Sequence, residues 1–87
     1  MEKLPLSVLL LARDEAARLA DLLPRLAFAR EVVVVVDAAT RDASREVAAR
    51  HGARVHERAL DGFGPQRAFG LACATEPWVL WPDADER

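Results

Sequence analysis

Five consecutive valines, Val32 to Val36, run directly into Asp37. A strand with one wet face alternates apolar and polar residues, so an unbroken apolar run marks a strand buried on both faces, as in a parallel sheet covered by helices. Leu6 to Ala12 is a second apolar run of strand length. Between the two, Leu19, Leu22, Leu23 and Leu26 recur at helical spacing, which predicts a helix with one face packed on the sheet. Pro24 interrupts that pattern, and its ring clashes with the preceding turn, so a kink or a fresh short turn is expected there.

Asp14 is placed to cap this first helix, with Glu15 adding negative charge to a first turn where the helix dipole favours it. Asp42 is placed to cap a second helix, which carries Val47 and Ala48 inward and stops at His51-Gly52. Ala53 to Glu57 reads as a third strand, polar enough for a sheet edge. Leu60 to Gly64 reads as a loop in which Gly62 and Gly64 permit a turn, and Pro65 fits the first position of a third helix. That helix is expected to run to about Ala74 with Phe69, Ala72 and Cys73 on one face, and Trp78 to Trp81 forms a fourth strand. The order β-α-β-α-β-α-β with short connections predicts a single α/β domain over residues 1–87. It is a Rossmann-like parallel sheet of about four strands with right-handed crossovers and helices on both faces.

Composition narrows the class. The chain is 52% apolar and 30% charged, the balance of a globular protein. A net charge of −2 with interspersed signs gives no footprint for nucleic acid. No apolar run approaches the roughly 18–20 residues of a membrane span. Met1-Glu2-Lys3 leads straight into a strand pattern, so neither a signal nor a transit peptide is expected. Cytoplasmic placement follows, with any contact at the inner face of the membrane made through parts outside these residues. The single cysteine excludes an internal disulfide and a Cys-rich zinc site.

The carboxylates are not scattered. Asp14 and Glu15 follow the first strand, Asp37 the second, and Asp83 and Asp85 the fourth. A parallel sheet brings all these ends to one edge, where ligands of open α/β sheets bind. Acidic groups converging there repel one another unless a cation lies among them, and hard oxygen ligands point to Mg²⁺ or Mn²⁺. Such ions are held by one or two carboxylates plus substrate phosphates, so a diphosphate ligand is the natural inference. Arg13, Arg41 and Arg67 lie in or beside the same loops and could meet phosphate. Plainer roles stay open beside these: Asp37 capping a turn, Asp14-Glu15 starting a helix, Arg41 solvated, and Asp83 to Glu86 a solvated acidic tail. His56 and Cys73 read as structural, and no Ser/His/Asp or Cys/His set is visible.

The joint spacing is more informative than any one motif. A strand ending A-R-D-E-A, then V-V-V-V-V-D-A-A-T-R-D, then D-G-F-G-P-Q-R-A-F-G-L-A, then W-V-L-W-P-D-A-D-E resembles the inverting GT-A glycosyltransferases of family 2. It looks closest to the bacterial branch that builds lipopolysaccharide cores and related surface glycans. The resemblance runs from about Leu6 to Glu86 and corresponds to the N-terminal, nucleotide-binding half of the GT-A fold. It implies a nucleotide-diphosphate sugar as ligand, with Ala12 and Glu15 lining its pocket, Asp37 at the base and Arg67 near the nucleotide. Asp83-Ala84-Asp85 matches the D-x-D motif, which implies Asp83 near the ribose and Asp85 at the metal-bound diphosphate.

The chain departs from the family pattern in three places. Asp37-Ala38-Ala39-Thr40-Arg41-Asp42 stands where Asp-Ser-Gly-Ser-Thr-Asp is usual. Ala68 replaces an asparagine, and Asp14 replaces the asparagine before the glutamate. Family members continue past D-x-D with acceptor-binding structure and a carboxylate general base. Neither is expected here, so no catalytic residue is assigned, and the chain alone is expected to bind a nucleotide but transfer nothing. The alternative is a non-catalytic α/β module that keeps the fold and self-associates or pairs with another chain, such as an acceptor-binding half. An unpaired strand edge near Trp78 and Trp81 would serve that association.

Overall fold

The computed structural model describes residues 3–59 and 63–80. Strands β1 (Leu4–Ala12), β2 (Ala29–Asp37), β3 (Arg54–Arg58) and β4 (Trp78–Leu80) form one sheet in the order β3-β2-β1-β4. All three strand pairings are parallel. Helices α1 (Ala16–Leu22), α2 (Ser44–Arg50) and α3 (Phe63–Cys73) make the crossovers, and a 3-10 turn at Leu23–Leu26 follows α1 with Pro24 in its first turn. The break at Pro24 is the one its ring demands.

Alternation along β1 and β2 sends successive side chains to opposite faces. On one face Val8, Leu10, Val34 and Val36 pack against Leu19, Leu23 and Leu26, and against Val47 and Ala48 of α2. On the other, Leu9, Val33 and Val35 pack against Phe69 and Cys73 of α3 and Val79 of β4. Val33 to Val36 are each 0% exposed, so the valine run is covered from both sides. The polar strand β3 lies at the sheet edge, and Gly52, at φ +82, ends the second crossover helix after His51.

Tertiary pairing lengthens what the apolar pattern shows. β1 begins at Leu4 because Leu4 pairs with Ala29, which also carries β2 back to Ala29. The register shifts between Leu4 and Ser7, and Pro5, with no N–H for the ladder, falls in that irregular stretch. β3 is displaced by one residue from the expected Ala53–Glu57, and its register runs from Val33↔Arg54 to Asp37↔Arg58.

The third helix differs more. It includes Phe63 and Gly64, so Gly64 is helical and not part of a turn. Pro65 is then the third helical residue, which the helix tolerates because first-turn N–H groups have no intrahelical acceptor. Gln66 and Gly70 are buried and Ala72 is exposed, so the inward face is Gln66, Phe69, Gly70 and Cys73. Gly70 sets this rotation. A Cβ there would overlap Leu9 Cδ1 and come within 2.8 Å of its Cδ2, so only glycine lets α3 lie this close to β1. Gly62, Trp81, Asp83 and Asp85 lie outside the described residues.

Glu31 ties the amino-terminal edge together. Its carboxylate accepts hydrogen bonds from Ser7 Oγ at 2.6 Å, Thr75 N–H at 2.9 Å and Thr75 Oγ1 at 3.1 Å. Arg54 of β3 approaches it to 2.6 Å. One side chain thus links β1, β2, β3 and the segment before β4. Burial alone would raise its pKa, but the hydrogen bonds from Ser7, Thr75 and Arg54 outweigh that and hold it down at about 2.

Candidate functional site

The carboxyl ends of β1 and β2 are adjacent: Ala12 is in register with Val36, and Asp37 is the next residue of β2. Ala12 is 6% exposed and its side chain belongs to the core, so only its backbone position reaches the site edge. Asp37 is also buried, at 5%. Its Oδ1 accepts the Ala39 N–H at 3.0 Å, its backbone carbonyl accepts the Thr40 N–H at 2.8 Å, and Arg13 Nε lies 3.6 Å from Oδ2. This is an Asx-type turn, so the carboxylate shapes its own loop whatever else it does.

The two loops at this edge cap each other. Asp14, expected to cap α1, instead accepts the N–H groups of Arg41 at 2.7 Å and Asp42 at 3.2 Å. The residue at the N-cap of α1 is Glu15, with no side-chain cap hydrogen bond. The first helical amide, Ala16 N–H, donates to Asp42 Oδ2 at 3.0 Å, and Glu15 N–H donates to Ser44 Oγ at 2.9 Å. The N-cap of α2 is Ala43 and not Asp42 as expected, but Asp42 Oδ1 accepts Ser44 N–H at 2.8 Å and Ser44 Oγ–H at 2.5 Å. Asp42 thus holds the first amide of α2 as well as that of α1. The Ser44 hydroxyl and the Ala16 amide lead the groups that hold the Asp42 pKa below its ordinary value, against a smaller desolvation effect. Asp14 reaches across because its backbone is left-handed, at φ 50, a conformation that aspartate and asparagine tolerate better than other side chains.

Arg45, in the first turn of α2, holds the same loop from behind. It donates to the carbonyls of Thr40 at 2.9 Å and Ala38 at 3.2 Å, and its Nε pairs with Glu57 of β3 at 2.8 Å. Thr40 Oγ1 is buried beside this turn and has no hydrogen-bond partner among the described residues. Ala38 N–H donates to Arg58 O at 3.2 Å. Five successive amides, Ala38 to Asp42, are therefore satisfied within the protein. A phosphate at this edge would have to be met by side chains or a cation rather than by the loop's backbone.

Of the residues singled out by sequence, the fold brings Ala12, Glu15 and Asp37 to one edge. Glu15 pairs with Arg18 at 3.1 Å. Arg67 is exposed on α3, across the sheet from α1 and α2. Its neighbour Gln66 is 2% exposed and bridges to β3, accepting from Arg58 Nη1 at 3.0 Å and donating to Arg58 O at 3.2 Å. Sequence reasoning passed over Gln66 and Ser44. The Asp42-x-Ser44 spacing at a helix start could have flagged Ser44; nothing in the local pattern flags Gln66.

The described carboxylates at this edge all have partners within the protein. Asp14 and Asp42 accept backbone amides, Asp37 faces Arg13, and Glu15 faces Arg18. Among the described residues no group of three or more His, Cys, Asp or Glu side chains could hold a metal ion. Asp83 and Asp85 lie outside the described residues. A cavity of about 340 Å³ opens at the opposite edge, lined by Lys3, Arg30, His51 and Arg54 among others, away from these loops. Among the described residues no helix is long and apolar enough to cross a membrane.

Comparison with known proteins bears on this edge. The sequence profile described as "Glycosyl transferase family 2" matches residues 7–87. An uncharacterized glycosyltransferase of Rickettsia felis is 31% identical over 86 residues, covering 99% of this chain and 30% of its own length. An uncharacterized glycosyltransferase of Rickettsia prowazekii is 30% identical over 81 residues, covering 93% of this chain and 28% of its own length. A TPR repeat-containing protein of Synechococcus elongatus is 38% identical over 85 residues, covering 92% of this chain and 20% of its own length. The chain thus spans less than a third of the length of these relatives. No solved structure matches it.

Proposed function

The chain belongs to glycosyl transferase family 2, and from that premise we propose that it is the nucleotide-sugar-binding part of an inverting glycosyltransferase. The observation that carries this reading is the family match over residues 7–87 on a chain whose Ala12, Glu15 and Asp37 share the ligand edge of a parallel sheet. In the proposed arrangement Asp37 and Glu15 border the nucleoside, Arg67 lies near the nucleotide, and Asp83 faces the ribose. Asp85 would hold Mg²⁺ or Mn²⁺; the hard carboxylate oxygens of Asp83 and Asp85 suit either ion. The bound ion would offset the charge of the departing nucleoside diphosphate as an acceptor hydroxyl attacks the anomeric carbon.

The loop geometry supports a cation-assisted reading. With the Ala38 to Asp42 amides already engaged, the loop after β2 has no backbone amide left to give a phosphate. The resemblance to the lipopolysaccharide-core branch favours cell-surface glycan assembly at the cytoplasmic side as the setting. We assign no general base within these residues, so the isolated chain is expected to bind and not to transfer.

Calorimetric titration with UDP, GDP, CMP and ADP in the presence of Mn²⁺ tests the proposal. One nucleoside diphosphate should bind, and Asp85→Ala should weaken it at least about tenfold, as expected for loss of a metal-anchoring carboxylate. Binding that is undiminished in Asp85→Ala overturns the site assignment.

A second reading, association without chemistry, draws on one observation. Leu4, Trp78 and Leu80 are 54%, 69% and 45% exposed along β1 and the neighbouring edge strand β4. An apolar strip on a strand edge invites pairing with a second copy or another chain. Sedimentation at high concentration separates the readings, since a monodisperse monomer argues against self-association.

A further inference from the structure

Helix caps are ordinarily local, the cap side chain binding an amide two or three residues on in its own loop. At the candidate site the bonds cross between segments 26 to 29 residues apart in sequence: Asp42 and Ser44 take amides at the start of α1, and Asp14 takes two amides of the loop before α2. We infer that Asp14, Asp42 and Ser44 form a crossed latch that sets the spacing of Glu15 and Asp37 before any ligand arrives. Asp14 orders the loop after β2 by taking the Arg41 and Asp42 amides. That loop in turn supplies Asp42 and Ser44, which take the Ala16 and Glu15 amides at the start of α1. Neither loop can be satisfied unless the other is in place, so the two should order and open together. Ser44 is 0% exposed, which gives the latch a fixed centre.

The functional consequence rests on reading this edge as a nucleotide pocket. Glu15 and Asp37 stand on different loops, and a ligand touching both gains affinity if their separation is fixed in advance. Asp14, Asp42 and Ser44 are then positioning residues, acting through Glu15 and Asp37. The left-handed backbone at Asp14 makes the inference separable from folding in general. Asparagine tolerates φ 50 and keeps the Oδ1 acceptor, whereas glycine tolerates the same φ and removes the acceptor with its side chain; Ser44→Ala, read at Arg41 and Asp42, controls for the backbone freedom glycine adds.

Amide hydrogen exchange on the free chain, compared among wild type, Asp14→Asn and Asp14→Gly, tests the latch. Asp14→Gly should speed exchange at Arg41 and Asp42, which lose their acceptor. It should also speed exchange about tenfold at Glu15 and Ala16, whose own acceptors are untouched, while Val34 in the core stays at the wild-type rate. Asp14→Asn should stay within about twofold of wild type throughout. Unchanged protection at Glu15 and Ala16 in Asp14→Gly, or equal damage from asparagine, overturns the latch. If Asp14→Gly does not fold, Ser44→Ala carries the same test in reverse, read at Arg41 and Asp42, which keep Asp14. In a nucleotide titration with Mn²⁺, Asp14→Gly should bind several-fold more weakly than Asp14→Asn. A wild-type chain that binds no nucleotide overturns the proposed function, and the exchange rates still decide the latch.

Discussion

Glu31→Ala is expected to remove about 3 kcal/mol of folding stability, the scale of leaving buried donors without their charged acceptor. A chain of this size has on the order of 5–10 kcal/mol in total, so the loss is a large fraction of it. The cause is what the truncation leaves behind. Ser7 is 0% exposed and would lose its carboxylate acceptor, Thr75 N–H would lose its own, and Arg54 would lose its 2.6 Å partner. Urea denaturation measures it as a lower midpoint with little change in slope.

The same residue sets an acid limb. Its folded pKa, about 2, lies below its ordinary value of 4.5, so the carboxylate's contribution is fully present above about 4.5 and is lost as pH falls toward about 2. A depression of this size corresponds to about 3 kcal/mol. In Glu31→Gln that limb should flatten, since nothing is left at position 31 to titrate. Parallel acid limbs in wild type and Glu31→Gln would show that the carboxylate is not the hub its geometry describes.

The two helical glycines of α3 are expected to respond to alanine with opposite signs. At Gly70 the new methyl overlaps Leu9, which is 1% exposed and has no space to retreat. Overpacking of that kind costs about 1–3 kcal/mol, against a gain of about 1 kcal/mol in helix propensity, so Gly70→Ala should destabilise by up to about 2 kcal/mol. At Gly64 nothing among the described residues lies within 4 Å of the added Cβ, and the propensity gain is expected to show at about 0.5 kcal/mol. Thermal unfolding of the pair should move in opposite directions. Leu9→Ala combined with Gly70→Ala should cost less than the sum of the two, because the truncated leucine vacates the volume the methyl needs. Strict additivity would mean that α3 packs elsewhere.

Much of the fold was legible from residues close together in the chain. The valine run indicated a strand covered on both faces, Pro24 a break, His51-Gly52 a helix stop, and the polar Ala53 to Glu57 stretch an edge. Each signal acts within one turn or one strand. The start and inward face of α3 were not legible, because they depend on how closely Gly70 approaches Leu9 from a strand some sixty residues away in the chain. The strand lengths depended likewise on the Leu4–Ala29 pairing.

The candidate site divides in the same way. Parallel direction follows from the alternation of strands and helices, and it suffices to place Ala12, Glu15 and Asp37 at one edge, while the order β3-β2-β1-β4 is seen only in the folded sheet. What each carboxylate does there was decided by tertiary structure. Asp14 looked like a local cap and instead serves the other loop, while Asp42 serves both helices. Glu31, with no motif around it, became the hub of the opposite edge. Periodicity and local caps report on neighbours along the chain, and from them the sequence by itself determined the layers of this protein, while its family follows from its motifs and the profile match over residues 7–87. Hydrogen-bond partners are chosen by distance in space, so only the folded sheet could decide which loop each acid would hold.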